Sequence, residues 1–281
     1  MRTLRYHMAA AACALLCFAQ GAFAQNVKMP APSPTQTVKQ DFALSYVEVN
    51  YSRPAMKGRT IMGDLVPYGK VWRTGANSAT TITFGDDVNF GGKAVKAGKY
   101  GLLTIPGQSE WTIILTKDLD VTSPSAYKQE NDVVRITTQP MEMPFSVESF
   151  LISFDEVLPS SMNMLLLWDK TAVPVNITAD IDGKITAQLD EAMKGEKKPY
   201  FQAASYYFES GKDLKKALEW ADAATKENPK AFWIYHLKAK IQAKSGDKAG
   251  AKATALQSIE LAKEAKNDDY VALNNKLIAS L

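Results

Sequence analysis

Residues 81–116 read TITFGDDVNFGGKAVKAGKYGLLTIPGQSEWTIILT, and this stretch decides the fold of the first half of the chain. Ile82 and Phe84 alternate with threonines, which is the period-two pattern of a β-strand with one buried face. Gly91 and Gly92 separate two short apolar runs, and paired glycines accept the positive φ angles of a two-residue hairpin turn. The segment PGQSE separates two longer strand-like runs in the same way. The stretch therefore predicts consecutive antiparallel hairpins.

Similar short apolar runs extend on both sides of this stretch, to about nine strands between residues 46 and 177. No helical periodicity lies among them, and turn residues separate them. Short strands at this spacing predict an all-β antiparallel sandwich, jelly-roll-like in type, over residues 41–179. Residues 25–40 contain three prolines and few large apolar side chains, and we expect them to form a flexible leader.

The hydrophobic period changes from two to about four near residue 180. Ile181, Ile185 and Leu189 are spaced four apart, which predicts a linking helix within residues 180–197. Glycine, proline and asparagine punctuate the remainder of the chain and divide it into five further predicted helices. These helices are expected at residues 201–211, 213–227, 232–245, 248–265 and 269–281.

The helical half contains an internal repeat. Ala217 and Ala251 are 34 residues apart, and Phe201 and Tyr235 share an earlier aromatic position of the same period. This period is that of tetratricopeptide units, in which a small residue lets paired helices approach closely. Residues 198–281 thus resemble two tetratricopeptide-like units followed by a final helix. Such repeats dock protein partners, so we expect a protein partner here.

The first 24 residues have the pattern of a secretory signal peptide. Arg2 and Arg5 precede an apolar run, and the small-x-small sequence AFA ends at Ala24. We expect cleavage after Ala24 and export to the periplasm or the cell surface. The apolar run is shorter than the roughly 20 residues that a membrane-spanning helix needs, and no later stretch is longer and equally apolar. No transmembrane segment is therefore predicted.

Removal of this segment excludes several kinds of chemistry. Cys13 and Cys17 leave with it, and His236 is the remaining histidine, so disulfides, thiol nucleophiles and the common zinc sites are not expected. We predict neither a metal nor another cofactor. Without Arg2 and Arg5 the chain carries 31 basic and 30 acidic residues, a net charge of +1. This balance gives no electrostatic reason to expect binding to nucleic acid.

Residues 53–84 concentrate arginine, tyrosine and tryptophan, and form the candidate site. Guanidinium groups bind carboxylates and phosphates, aromatic rings stack on sugars or cations, and residues that tolerate positive φ expose backbone donors to anions. These groups favour recognition of a small anionic or glycan-like ligand; a purely structural crossover loop is the other interpretation. The candidate ligand-binding residues are Arg53, Arg59, Tyr68, Trp72, Arg73, Thr74 and Asn77.

The string LVPYGKVWRTGAN at residues 65–77, with AGKYGL at residues 97–102, carries a family resemblance. Over residues 33–179 the chain resembles the domain of unknown function 2911 family. The resemblance implies an exported β domain of Gram-negative bacteria and no established activity. Ser125, Ala126 and Tyr127 stand where members often carry a Gly-Ala-Tyr segment.

Two hypotheses follow from these observations. The first is a non-enzymatic exported binding or scaffold protein, with no catalytic residues, whose β domain holds a ligand and whose helices dock a partner. The alternative is a carboxylate-dependent hydrolase acting on an extracytoplasmic glycan or a similar substrate, since glycoside cleavage needs two carboxyl groups about 5 to 10 Å apart. The pairs available for it are Asp86 with Asp87, Asp118 with Asp120, Glu130 with Asp132, and Asp155 with Glu156.

Overall fold

The computed structural model describes residues 29–281, so the predicted signal peptide lies outside the described residues. By its internal contacts the chain divides into two compact units, Met1–Ala179 and Asp180–Leu281. The described part of the first unit is built from antiparallel β-sheets, and the second unit is helical. The predicted order, an antiparallel β part followed by a helical part, is confirmed.

The first unit contains ten strands within the described residues, and every strand pairing is antiparallel. One sheet has six strands in the order β1-β2-β3-β6-β7-β8, and the other has four in the order β5-β4-β10-β9. The strands are β1 (Thr35–Phe42), β2 (Ser45–Ser52), β3 (Thr81–Phe84), β4 (Val88–Phe90), β5 (Lys93–Val95), β6 (Gly98–Ile105), β7 (Trp111–Thr116), β8 (Asp132–Thr138), β9 (Met141–Asp155) and β10 (Ser161–Thr178).

The two hairpins predicted in residues 81–116 are confirmed. Phe90 pairs with Lys93 across the turn between β4 and β5, and the turn glycines Gly91 and Gly92 have φ angles of 55° and 81°. Residues with a Cβ adopt two successive positive φ angles only at an energetic cost, so the glycine pair favours this type of turn. β6 and β7 form the second hairpin around the PGQSE segment.

Two strands differ from the sequence-based expectation. β1 begins at Thr35, inside the stretch predicted as a flexible leader, and pairs along its whole length with β2. It is an edge strand with one solvent-exposed face, so its apolar pattern is weak. Its conformation depends on the hydrogen bonds to β2. β10 is one strand, although the sequence pattern predicts two, at residues 164–168 and 173–177. Its register shifts around Asp169, whose φ is 50°, so the polar interruption is absorbed as a β-bulge.

The facing sides of the two sheets share one hydrophobic core. Val47, Val49 and Tyr51 of β2 point into it from the larger sheet, and Met164 and Leu166 of β10 point into it from the smaller one. Each is at most 2% exposed. Fully burying an aliphatic side chain of this size stabilises a fold by about 1.5 to 3 kcal/mol, so these alternating positions hold the sheets together.

The second unit consists of six helices, and its helix ends follow from local capping. Asp213, Asp247 and Asn267 each accept a hydrogen bond from a backbone N–H of the first turn that follows. Such caps satisfy donors that have no partner within the helix. The helices are α1 (Asp182–Ala192), α2 (Tyr200–Glu209), α3 (Leu214–Glu227), α4 (Phe232–Lys244), α5 (Lys248–Glu264) and α6 (Asp268–Ala279).

Successive helices α2 to α6 pack against one another through small side chains. Ala217 and Ala251, the pair on which the predicted repeat rests, are both fully buried. Asp213 and Asp247, which cap α3 and α5, are also 34 residues apart. Within residues 29–281, no helix combines the length and the apolar character needed to cross a membrane.

Candidate ligand-binding site

A cavity of about 510 Å³ opens in the β unit beside the long connection between β2 and β3. Its lining comes from residues between 54 and 76, with Ser33, residues 122–124 and Trp168 completing the wall. The volume lies within the ~300 to 1,000 Å³ of small-molecule sites in proteins. The connection that carries the predicted site residues therefore forms most of this cavity.

Two stacked indole rings form an aromatic wall of the cavity. The rings of Trp72 and Trp168 are 5.7 Å apart with 19° between their planes, and both residues line the cavity. Phe150 packs edge-on against Trp72 at 5.0 Å, and Trp111 does so at 6.4 Å. The Trp72 Nε1–H donates to the carbonyl of Gly75 at 3.1 Å. Trp72 is thus fixed by the core on one side and by its own loop on the other.

Cationic side chains complete the cavity lining. Arg59 donates to the carbonyls of Ala55 at 2.6 Å and Met56 at 2.9 Å. Arg73 donates through Nη1 to the carbonyl of Thr122. A guanidinium has five N–H donors, and these bonds use only one or two of them. The backbone bonds therefore orient each guanidinium while leaving it further donors.

The loop that carries Arg73 has a strained backbone. Thr74 is fully buried with φ of 55°, an uncommon conformation for a β-branched residue. Its hydroxyl lies 3.2 Å from the Thr104 hydroxyl, and its carbonyl accepts a hydrogen bond from the Thr80 hydroxyl at 2.7 Å. Buried polar contacts on both sides of Thr74 hold the loop in place. Strain of about 1 to 3 kcal/mol persists only when the surroundings determine it this fully.

A polar network stands behind the wall formed by residues 122–124. The Tyr127 hydroxyl donates to Asp132 Oδ2 at 2.6 Å, and Arg135 Nη1 contacts the same carboxylate oxygen at 3.0 Å. Burial and then the bond to Asp132 raise the pKa of Tyr127 to about 12. Tyr127 therefore stays protonated at physiological pH and ties its loop to β8.

The cavity brings together only part of the predicted site. Arg59, Trp72 and Arg73 line it, whereas Tyr68 lines a separate cavity of about 280 Å³. Thr74 is fully buried within its loop and is not among the lining residues. The remaining two candidates, which are not among the lining residues, bond to backbone carbonyls. These are Arg53, which donates to Phe150 O at 3.0 Å, and Asn77, which donates to Ser33 O at 3.0 Å.

Several lining residues were not predicted. Lys70 and Val71 lie within two residues of Trp72, in the string at residues 65–77 that contains the predicted site residues. They could therefore have been predicted from that string. Trp168 and the segment at residues 122–124 are far from Trp72 in sequence, and no local pattern links them to it. They join the site because β10 and the loop after β7 are brought beside the long connection.

The acidic pairs of the alternative hypothesis lie outside the cavity. Asp87 forms an ion pair with Lys96 at 2.8 Å, and Asp118 accepts two hydrogen bonds from the Asn131 amide at 3.0 and 2.9 Å. Among residues 29–281, no carboxylate lines the cavity. Over the same residues, no group of three or more His, Cys, Asp or Glu side chains is placed to hold a metal ion. The acids described above act as partners within loops.

His236, the one histidine outside the predicted signal peptide, belongs to a polar network in the helical unit. Its Nδ1 lies 2.9 Å from the side-chain Oδ1 of Asn274, and the side-chain amide of Asn274 donates to Ser258 Oγ at 2.9 Å. Ser258 in turn donates to the carbonyl of Phe232 at 2.7 Å. Burial lowers the pKa of His236, so its imidazole is neutral at pH 7. The network fastens α6 to α4 and α5.

The chain was compared with known proteins. A family model described as protein of unknown function DUF2911 matches residues 33–177. The match covers more than half of the chain, and the protein belongs to this family. Comparisons with curated proteins and with solved structures find no match.

Proposed function

We propose that the protein is an exported, non-enzymatic binding protein. Its β unit, a jelly-roll-like sandwich, holds a small anionic or glycan-like ligand in the cavity beside Trp72. Its tetratricopeptide-like helices dock a protein partner. No step of this function requires a cofactor, because recognition uses side chains and backbone groups alone.

The observation that carries the proposal is the combination of an indole wall with cationic groups in one cavity. Arg59 and Arg73 are held by backbone carbonyls in defined orientations, so little side-chain entropy is lost when they bind an anion. Guanidinium groups form strong, directional bonds to carboxylates and phosphates. The alternative hydrolase gains no support from the cavity, since its acidic pairs lie elsewhere.

A thermal-shift screen of residues 25–281 tests the ligand-binding part. We expect stabilisation by at least one class among sugars, sugar acids and aromatic or aliphatic acids, because a ligand that binds only the folded state raises the melting temperature. Lys70→Gln should reduce the shift, whereas Lys93→Gln, at the exposed start of β5 and outside the cavity, should not. Equal shifts in both variants, or no shift with any compound, would contradict this part of the proposal.

The helical repeat supports the partner-docking part. A small cavity of about 200 Å³ in this unit is lined in part by Tyr200, Phe201 and Trp233. Trp233 is 42% exposed, and exposed aromatic side chains often anchor protein interfaces. Paired helices of this kind expose such groups on a shared face.

A capture experiment with the full mature chain tests this docking. We expect Trp233→Ala to lose a periplasmic protein that the unaltered chain retains. Leu256→Ala is the matched control, because Leu256 is similarly exposed, at 48%, on α5. Identical captured proteins for all three chains would contradict docking through Trp233.

Export is proposed from residues 1–24, and cell fractionation tests it. The full chain should be found outside the cytoplasm with its first residue at Gln25. A chain starting at Gln25 with an added Met should remain in the cytoplasm. Export of the shortened chain would contradict the proposal.

A further inference from the structure

We infer that the ligand of the β-unit cavity is an amphipathic anion: a largely apolar, planar body that carries one oxyanionic group. This inference rests on the proposed function, because it names the ligand class of the same cavity. Three features of the lining support it: few polar side chains that could pair with sugar hydroxyls, basic side chains without an ion-pair partner, and an apolar wall.

The first feature is the kind of polar group that the lining offers. Among the described lining residues there is no Asp, Glu, Asn, Gln or His, and the side-chain hydroxyls come from Ser33, Thr122 and Ser123. A neutral sugar that enters a cavity needs partners for its many hydroxyl groups. Unpaired buried hydroxyls weaken binding strongly, since each loses its hydrogen bonds to water. The lining therefore disfavours a neutral glycan.

The second feature is the charge of the cavity. Its charged lining residues are Arg59, Lys70 and Arg73, all basic. None of the three forms an ion pair with a carboxylate anywhere in residues 29–281. Arg73 contacts Thr122 and Arg59 contacts residues 55 and 56, so both cations are held at the cavity by main-chain bonds. This arrangement favours an anionic group on the ligand.

The third feature is the apolar surface. Trp72 is half-buried and Trp168 is 2% exposed, and both indoles line the cavity together with Leu65, Val66 and Val71. Planar apolar groups bury large areas against indole rings and prefer offset or edge-on contacts with them. A volume of about 510 Å³ leaves room for a two- or three-ring body as well as the anionic group.

A matched pair of fluorescent probes tests the inference on residues 25–281. One is 8-anilinonaphthalene-1-sulfonate; the other is N-phenyl-1-naphthylamine, which has the same body without the sulfonate. We expect the sulfonate to bind at one site at least about tenfold more tightly, because charge-assisted hydrogen bonds contribute that much. Glucose and glucuronate, the polar comparison compounds, should not displace it. Aromatic carboxylates and phosphate monoesters should displace it, and their relative affinities identify the preferred oxyanion.

Variants assign the binding to the cavity. Lys70→Gln removes one exposed charge, and we expect it to weaken sulfonate binding several-fold without changing binding of the neutral probe. Lys93→Gln, whose side chain is outside the cavity, should leave both unchanged. Arg73→Lys tests whether the planar, two-pronged guanidinium is needed. It should weaken binding of the sulfonate probe more than binding of the neutral probe.

The outcomes separate this inference from the proposed function. Equal affinities for the two probes, or equal effects of Lys70→Gln and Lys93→Gln, would overturn the amphipathic anion. Binding of glucose or glucuronate without binding of either probe would also overturn it, while leaving the cavity as a ligand site. Failure of both probes to bind, together with no stabilisation by any compound of the thermal-shift screen, would overturn both.

Discussion

The two units differ in the size of the side chains that they bury. The core of the β unit combines aliphatic side chains with large aromatic ones, among them Trp111, Trp168 and Phe150. The helical unit fills its core largely with alanines, and Ala217, Ala251 and seven others there are at most 1% exposed. A sheet-on-sheet core is about 10 Å thick and needs bulky side chains, whereas closely packed helices need small ones. The difference is consistent with the aromatic wall of the cavity in the β unit.

The same contrast appears in how each unit places its polar groups. In the β unit, Arg59 and Arg73 bond to main-chain carbonyls of an irregular connection and keep part of their donors at the cavity. In the helical unit, the buried side chains of Asn274 and Ser258 form a hydrogen bond with each other. Polar groups that are fully satisfied internally stabilise a fold, and those with remaining donors are available for recognition.

The largest effect is expected from removing a large side chain from the β core. Trp168→Ala should lower the free energy of unfolding by about 3 to 5 kcal/mol, because it opens a cavity beside Trp72 and removes the bond from Nε1 to the Glu148 carbonyl. Urea unfolding monitored by near-UV circular dichroism measures the change. Trp233→Ala, at an exposed indole of the helical unit, is the control and should change stability by about 0.5 kcal/mol or less. Equal losses would contradict the comparison.

A smaller effect is expected from enlarging a side chain in the alanine core. Ala251→Leu should cost about 1 to 3 kcal/mol, because Ala251 is fully buried and extra methyl groups force the helices apart. Ala253→Leu, on the exposed side of the same helix, should stay within about 0.5 kcal/mol. Ellipticity at 222 nm in urea measures both. Tolerance of leucine at both positions would show that small residues do not set the helix spacing.

The smallest effect is expected from the histidine of the helical network. Burial lowers the pKa of His236 in the folded state, so the unfolded state binds a proton more readily as the pH falls below about 6.5. The stability that this group contributes is present above that pH and is lost as the pH falls. His236→Gln should therefore reduce the loss of stability between pH 7 and pH 5, measured by urea unfolding at each pH. An unchanged pH dependence would contradict a buried, neutral His236.

Much of the architecture was predictable because it depends on neighbouring residues. The Gly91-Gly92 hairpin, the six helices and the change of period near residue 180 follow from local pattern and turn chemistry. β1 was less accessible to prediction, since Val38 and Phe42 are among its few apolar residues and its pairing with β2 defines it. β10 was divided in the prediction because a polar Asp169 interrupts its pattern, although a bulge accommodates that residue.

The candidate site shows the same division. Trp72 and Arg73 were predicted from one string, and both line the cavity. Arg53 and Asn77 come from the same region, yet they bond to backbone carbonyls and are not among the lining residues. Composition alone does not distinguish an arginine that lines a cavity from one that only fastens a loop. Arg59 and Arg73 also bond to backbone carbonyls, so the distinction depends on where the folded chain places each side chain relative to the cavity.

The sequence by itself determined the order of β and α structure, the hairpin turns, the six helices and the family, because each depends on residues close together in the chain. Tertiary structure alone decided which side chains share the cavity. Trp168 meets Trp72, and Thr122 meets Arg73, only after β10 and the loop following β7 pack beside the long connection. Periodicity reports which face of a strand is buried, whereas a cavity is formed by contacts between segments far apart in sequence.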